Sequence, residues 1–172
     1  AAIVRIAAKY RLSLVPQGGN SGMVAGATPN SSGDQLILSM RRMNNITAID
    51  ADAGLISCEA GVILQNLHEA AAQCGRRFPL TLGGKGSATV GGLISTNAGG
   101  TQVLRHGTMR LLVAGLEAVL PDGSIYDAMA PLKKDNRGVT RYVPTSADKG
   151  RLNFIQKNFD NLKRPSQQTK LT

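Results

Sequence analysis

Two clusters of glycine and small polar residues carry the chemistry this sequence offers. The first, Pro16-Gln-Gly-Gly-Asn-Ser-Gly22, presents several consecutive backbone N–H groups, and glycine lets the chain curve around an anion with no Cβ in the way. It is a candidate phosphate cradle, although a glycine-rich turn can also be no more than a turn. No Gly-Lys-Ser/Thr follows it and it lacks the GxGxxG spacing, so the P-loop and Rossmann dinucleotide readings drop out. The second cluster is Leu82-Gly-Gly-Lys-Gly-Ser-Ala-Thr-Val-Gly-Gly92, followed by Thr96-Asn-Ala-Gly-Gly100. It offers hydroxyls, an amide and open backbone donors with few charges. Such donors satisfy the oxygens and nitrogens of a tightly held cofactor without importing charges that must themselves be desolvated. Two loops of this kind argue for a large, elongated ligand.

The elements that must position these loops can be read from periodicity. Ile3, Ile6, Ala7 and Tyr10 recur at helical spacing, and Leu12 to Val15 then reads as a short strand, so the first loop hangs from the carboxyl end of a strand. Gln35–Ser39, Ile46–Asp50 and Leu55–Ala60 are further strand candidates, for which short antiparallel pairing is expected. Val62 to Ala71 is the clearest helix, with Gly75 at its stop. Residues 79 to 107 return to loop around Gly91 to Thr96, which is placed to open a helix. Val113–Leu120 and Ser124–Tyr126 read as two strands joined by a Pro-Asp-Gly turn. A last helix is expected around Phe154, Ile155 and Phe159.

Length and composition narrow the class. At 172 residues, 42% hydrophobic, the chain is long enough for one domain with a real core, and no apolar run approaches a membrane span. Cys58 and Cys74 show neither CxxC nor Cys/His ligand spacing, so no metal site or disulfide scaffold is expected and a reducing compartment fits. Both read as core or partly buried thiols, and His68 as a solvated residue on the polar side of its helix. The start, Ala1-Ala2-Ile3-Val4-Arg5, reads as a fragment beginning inside a helix. Of the twenty glycines, sixteen lie between Gly18 and Gly107, clustered where backbone must come close to something. The net charge of +9 is uneven: residues 1 to 132 hold ten Lys/Arg against eight Asp/Glu, net +2, and residues 133 to 172 hold ten against three, net +7. A basic tail on a nearly neutral body binds polyanions weakly and without sequence preference, so no specific nucleic-acid partner is expected.

Seven segments, taken together, resemble the FAD-binding domain shared with vanillyl-alcohol oxidase (the PCMH type), and within it the branch of D-2-hydroxyglutarate, D-lactate and glycolate dehydrogenases. They are Pro16 to Met23, Ser39-Met-Arg-Arg-Met-Asn44, Gly83 to Gly92, Thr96 to Gly100, Leu104-Arg-His-Gly107, Gly115 to Gly123 and Leu132-Lys-Lys-Asp-Asn136. The resemblance implies an α+β fold of two subdomains gripping FAD between them. Gly18, Gly19, Asn20, Ser21 and Gly22 match the family's pyrophosphate loop. Ser87, Thr89, Gly91, Gly92, Asn97 and Gly100 match a second cradle along the pyrophosphate and flavin, and Gly107 a close-approach glycine beside the cofactor. Relatives with covalent flavin carry histidine at the place of Asn20, which implies non-covalent FAD here. His106 stands where the family commonly has tyrosine, which implies packing and hydrogen bonding rather than base chemistry.

The resemblance covers residues 1–138, expected as a partial FAD-binding domain, with residues 139–172 as a divergent basic tail. Lys133 stands where the family has a substrate-binding arginine; lysine keeps the charge but loses the planar fork that grips a carboxylate. The expected closing strand is absent after Gly138, a junction that a frameshift, an aberrant splice, a gene-model error or a genuinely divergent tail would produce. The family's first strand and its substrate domain have no counterpart either, so the chain is expected to be truncated at both ends. No catalytic residue is assigned. The expected function is the FAD-binding portion of a flavin-dependent D-2-hydroxyacid dehydrogenase, an oxidoreductase passing hydride from a small 2-hydroxy acid to FAD. It is expected to be incomplete without the substrate domain, and to be cytoplasmic, or mitochondrial in a eukaryote. The alternative is a non-enzymatic remnant or binding module whose basic tail contacts a polyanion.

Overall fold

The computed structural model describes residues 1–127, together with the backbone of residues 133–134 and 140–141. The chain divides into two units, Ala1–Met129 and Ala130–Thr172. In the second, β7 (Lys133–Lys134) pairs antiparallel with β8 (Thr140–Arg141). The helix expected around Phe154 lies outside the described residues, as do the side chain of Lys133 and nearly all of the basic tail.

The first unit combines five helices with three two-stranded sheets among the described residues, an α+β architecture. Helix α1 (Ala2–Tyr10) forms where the apolar spacing predicts it and ends at Arg11, whose left-handed φ of 54° lets the Leu12 N–H reach back to the Ala7 carbonyl at 2.8 Å while the Arg11 N–H donates to Ala8 at 3.3 Å. Strand β1 (Ser13–Gln17) follows at once, and it pairs parallel with β2 (Gln35–Ser39), in register from Ser13–Gln35 to Gln17–Ser39. This corrects the antiparallel expectation. Parallel strands cannot be joined by a tight turn, so the chain must travel back along the pair. Residues 18–34 make that return without a helix, and the first glycine cluster occupies its opening turn.

Strands β3 (Ile46–Asp50) and β4 (Leu55–Cys58) do pair antiparallel, as expected of their spacing. Helix α2 (Leu64–Gln73) carries the main packing face, with Leu64, Leu67, Ala70 and Ala71 buried. The core gathers Val62, Leu64, Leu67, Leu80, Ala88, Val90, Leu93 and Met109. Three of these, Ala88, Val90 and Leu93, belong to the second glycine cluster or to the short helix it opens, α3 (Val90–Ser95). The core therefore sits directly beneath the second loop and fixes its backbone.

Two further helices of four residues are α4 (Val103–His106), within what the sequence reads as loop, and α5 (Met109–Leu112), in the stretch between that loop and the expected strand. The strand expected from Val113 is reduced to β5 (Glu117–Val119), which forms a hairpin with β6 (Ile125–Asp127). Its turn is held by Asp122, whose carboxylate accepts from the Ser124 N–H at 2.9 Å, and by Gly123, whose φ of 77° suits glycine.

Gly123 also joins the two ends of this unit. Its carbonyl accepts from the Arg5 guanidinium Nε at 3.1 Å, and a Cβ at Gly123 would strike the Arg5 side chain. Gly123→Ala combines a left-handed backbone cost with that collision and is expected to lower stability by about 2 kcal/mol. A thermal melt followed by circular dichroism reads this directly; an unchanged midpoint would show that the hairpin and α1 are not docked.

One cysteine and one histidine depart from expectation. Cys58 is half-buried, and burial pushes its thiol pKa up, whereas Cys74 is exposed rather than part of the core. His68 is not simply solvated: it is half-buried, with its Nε2 2.8 Å from the Leu80 carbonyl and its ring tilted against Phe78. A carbonyl oxygen only accepts, so Nε2 carries the proton and the imidazole pins α2 to the strand of chain entering the second loop.

Candidate functional site

The fold brings the two glycine clusters into contact. A Cβ on Gly19 would overlap the carbonyl group of Ser87, and one on Gly18 would overlap the Thr89 hydroxyl. Gly84 of the second loop lies near the first as well, the position of its Cβ being 3.7 Å from Ser21 Cβ. Backbone approaches backbone here, which is why glycine stands at these positions.

Polar groups are divided between the two sides of the second loop. The Ala88 and Lys85 carbonyls accept from the Leu64 and Gln65 N–H groups at 2.9 and 3.0 Å, serving the start of α2, which has no side-chain cap. Val90 and Gly91 donate in turn to Val62 and Ala60, at 2.9 and 2.7 Å. An antiparallel bridge between Ile63 and Thr89 completes this seam. Gly91 rests on Ala60, where a Cβ would come within 2.8 Å of the Ala60 Cβ.

The first loop is built the other way. Among the described residues, none of the N–H groups of residues 18–22 donates to a backbone or side-chain acceptor. Asn20 sits at φ 50°, in the left-handed region that asparagine tolerates, and its Oδ1 accepts from the Thr28 hydroxyl at 3.4 Å. Gln17 donates from its amide to the Ala27 carbonyl at 2.7 Å and so closes the loop upon itself. Lys85 of the second loop is exposed.

The remaining expected site residues continue from the second loop. Gly92 is exposed, and Ser95 and Thr96 on the turn beyond it return their hydroxyls to Gly91 and Gly92. Asn97, at φ 48°, accepts from the Arg110 N–H at 2.9 Å, tying α5 to this segment. Gly100 runs against the Thr81 backbone, whose carbonyl accepts from the Thr101 N–H at 3.0 Å. Gly107 closes α4 with φ 78°, and its close approach is to the Leu111 side chain. His106, for which packing was expected, is exposed.

Sequence reasoning missed one supporting residue, Gly61. It lies under the Met40–Met43 turn, with a Cβ position 2.6 Å from the Met43 carbonyl, and carries the Ala60 contact that seats Gly91. Its signal is a glycine directly before a buried helix start, where a flexible residue has no local purpose.

One polar atom in the site has no partner. The Thr89 hydroxyl is buried, on a residue only 6% exposed, and forms no hydrogen bond. Together with the open N–H groups of residues 18–22, it makes a neutral donor set that fits a group rich in acceptor oxygens, such as a pyrophosphate. Among the described residues no group of three His, Cys, Asp or Glu side chains is placed to hold a metal, and no helix is long and apolar enough to cross a membrane.

The α+β fold and its paired glycine loops thus define a nucleotide-cofactor domain. Residues 1–128 match the family model of the FAD binding domain, and the chain belongs to that family. It is 44% identical over 137 residues to a protein of Schizosaccharomyces pombe named as a mitochondrial D-lactate dehydrogenase, covering 80% of this chain and 26% of that protein. It is 44% identical over 136 residues to the mitochondrial D-2-hydroxyglutarate dehydrogenase of Danio rerio, covering 79% of this chain and 25% of the relative. The chain thus spans about a quarter of the length of these relatives. In fold it is similar to a solved alkyldihydroxyacetonephosphate synthase, with a TM-score of 0.66 and 24% identity, covering 73% of this chain and 23% of that one. The expected PCMH-type FAD-binding fold is the fold observed.

Proposed function

We propose that this chain is the FAD-holding part of a D-2-hydroxyacid dehydrogenase, with residues 1–138 as a partial FAD-binding domain and residues 139–172 as a divergent basic tail. The observation that supports the reading is the meeting of Gly18 and Gly19 with Ser87 and Thr89, where N–H groups without acceptors lie beside a buried hydroxyl. The names of its relatives support the substrate class.

In this reading Gly18, Gly19, Asn20, Ser21 and Gly22 offer the pyrophosphate their backbone donors. Ser87, Thr89, Gly91, Gly92, Asn97 and Gly100 line the cofactor from the other side, and Gly107 shapes the backbone beside it. Binding is non-covalent, since the Asn20 amide is no nucleophile. FAD, when bound, supplies a two-electron acceptor for the oxidation of a 2-hydroxy acid to its 2-oxo acid. The protein's own contribution is to hold and orient that acceptor through neutral donors. Lys133 is assigned to the substrate carboxylate, as a single charge rather than a fork. In a eukaryote the reading places the protein in mitochondria, where the names of its relatives place them.

Because the chain spans a quarter of its relatives, it supplies the flavin half of such a site and requires a substrate domain for turnover. Purified chain given FAD, D-2-hydroxyglutarate or D-lactate and a redox dye is expected to reduce no dye above the protein-free rate. Steady dye reduction dependent on the hydroxy acid would refute that division of labour.

A further inference from the structure

We propose that strand β2 is a self-association edge, where a second copy of this chain pairs antiparallel about a two-fold axis and joins the two-stranded sheets of both copies into one. The pairing does not depend on the cofactor. The Met40 N–H donates to the Gln17 carbonyl at 2.9 Å, which turns Met40 toward β1 and, by the alternation of a parallel ladder, Leu36 and Leu38 with it. The N–H and C=O groups of Gln35, Ile37 and Ser39 therefore point to the free edge. Among the described residues none of these backbone groups has a partner.

The edge suits a second copy of itself. Gln35–Ser39 carries neither a charge nor a proline, the devices that ordinarily blunt an edge. Leu36 and Ile37, which alternate onto opposite faces, are 52% and 50% exposed. Antiparallel pairing centred on Ile37 sets it against the partner's Ile37 on one face and Leu36 against the partner's Leu38 on the other. Charge selects the direction. Exposed Asp34 immediately precedes the strand, and exposed Arg41 and Arg42 lie in the turn that follows it, closed by the Met43 N–H on the Met40 carbonyl at 2.9 Å. Antiparallel pairing brings Asp34 of each copy beside the Arg41-Arg42 turn of the other, at both ends by symmetry; parallel pairing would set like charges together. The opposite edge of the sheet, on β1, presents Leu14 and Pro16 by the same alternation, and Pro16 has no N–H to donate. Association therefore closes at the dimer.

Sedimentation equilibrium of the full 172-residue chain is expected to show monomer and dimer exchanging with a Kd on the order of 1–100 µM, in keeping with a small interface, and no larger species. Ile37→Lys, which sets two ammonium groups against each other at the centre, is expected to weaken the dimer by at least about 10-fold. Asp34→Lys and the double variant Arg41→Glu/Arg42→Glu each turn attraction into repulsion at both ends. Each is expected to dimerise about 10-fold more weakly at an ionic strength of about 0.1 M or below. Mixed together, these two variants are expected to form a heterodimer within about threefold of wild-type affinity, since unlike charges then meet at both ends. Both chains stay net positive, so attraction between whole chains does not supply that rescue. All three charged positions are exposed, and the mixing arm remains a test if I37K folds poorly. Wild type still monomeric at about 1 mM, a dimer indifferent to I37K, assemblies that grow past the dimer, or no rescue on mixing would each overturn the proposal.

Discussion

Gly19→Ala is expected to lower FAD affinity by about 100-fold or more while the chain still folds. The added Cβ would be driven into the Ser87 carbonyl group and toward the Ala88 N, and these are backbone atoms that cannot swing aside. Behind them the Ala88 and Lys85 carbonyls are bonded to the start of α2, and Ala88 is packed into the core. The second loop is thus anchored, and the first, joined only at β1 and β2, must give way. Overpacking of this kind costs about 1–3 kcal/mol, a part of which appears as a lower melting point. The larger part is expected in binding, because donors shifted by even an ångström no longer converge on one anion. Gly26→Ala, on the same loop but outside the residues proposed to hold the cofactor, is the matching control: a Cβ there meets nothing within 4 Å, so affinity should stay within about threefold of wild type. Flavin fluorescence titration of the three proteins decides the matter. Equal binding by Gly19→Ala would show that the two loops do not meet at the cofactor.

Leu64→Ala is expected to cost about 3–4 kcal/mol of stability, equivalent to a fall of roughly 10–15 °C in melting temperature. Leu64 is 0% exposed, opens α2 and packs in the same cluster as Ala88, Val90 and Leu93. Its truncation leaves a cavity directly beneath the second loop. Since a domain holds only about 5–15 kcal/mol in reserve, this single change consumes a large share of it. Ile6→Ala provides the contrast, because Ile6 is 56% exposed within the described unit and its loss should cost under about 0.5 kcal/mol. Thermal melts distinguish the two; a similar small effect for both would mean that the core does not lie where the packing puts it.

Much of this architecture is legible in the residues because local and long-range signals agree there. Helix α2 carries an apolar face, ends near a glycine and is buried on that face, so one pattern predicts element and packing together. The hairpin of β5 and β6 follows from Asp122-Gly123 in the same way. Both glycine loops are visible as clusters, and the family resemblance places them in one site; composition alone does not show that they touch.

What was hidden depends on partners far away in the chain. Strands β1 and β2 are five residues each, and nothing within them distinguishes a parallel from an antiparallel neighbour. Only the long return of residues 18–34 does so. Helices α4 and α5 are four residues long, too short to show a period. The helical spacing of Ile3, Ile6 and Tyr10 marks α1 correctly, but all three are exposed, so periodicity revealed a helix without revealing what covers its face. His68 sits at a position that reads as polar surface, and its bond to Leu80 exists only because the chain folds back after α2. Thr89 is the sharpest case: its type marks it as a donor, whereas its lack of a partner is a property of the fold.

The most direct test of the account is the visible absorption spectrum of the purified chain, recorded after incubation with FAD and exhaustive desalting. The account predicts a yellow protein with a bound-flavin spectrum, released as free FAD on denaturation and lost in a Gly19→Asp variant that sets a carboxylate against the pyrophosphate site. A colourless wild-type protein whose melt is cooperative would contradict it, because a folded chain with both loops in place would then fail to hold the cofactor they are proposed to grip.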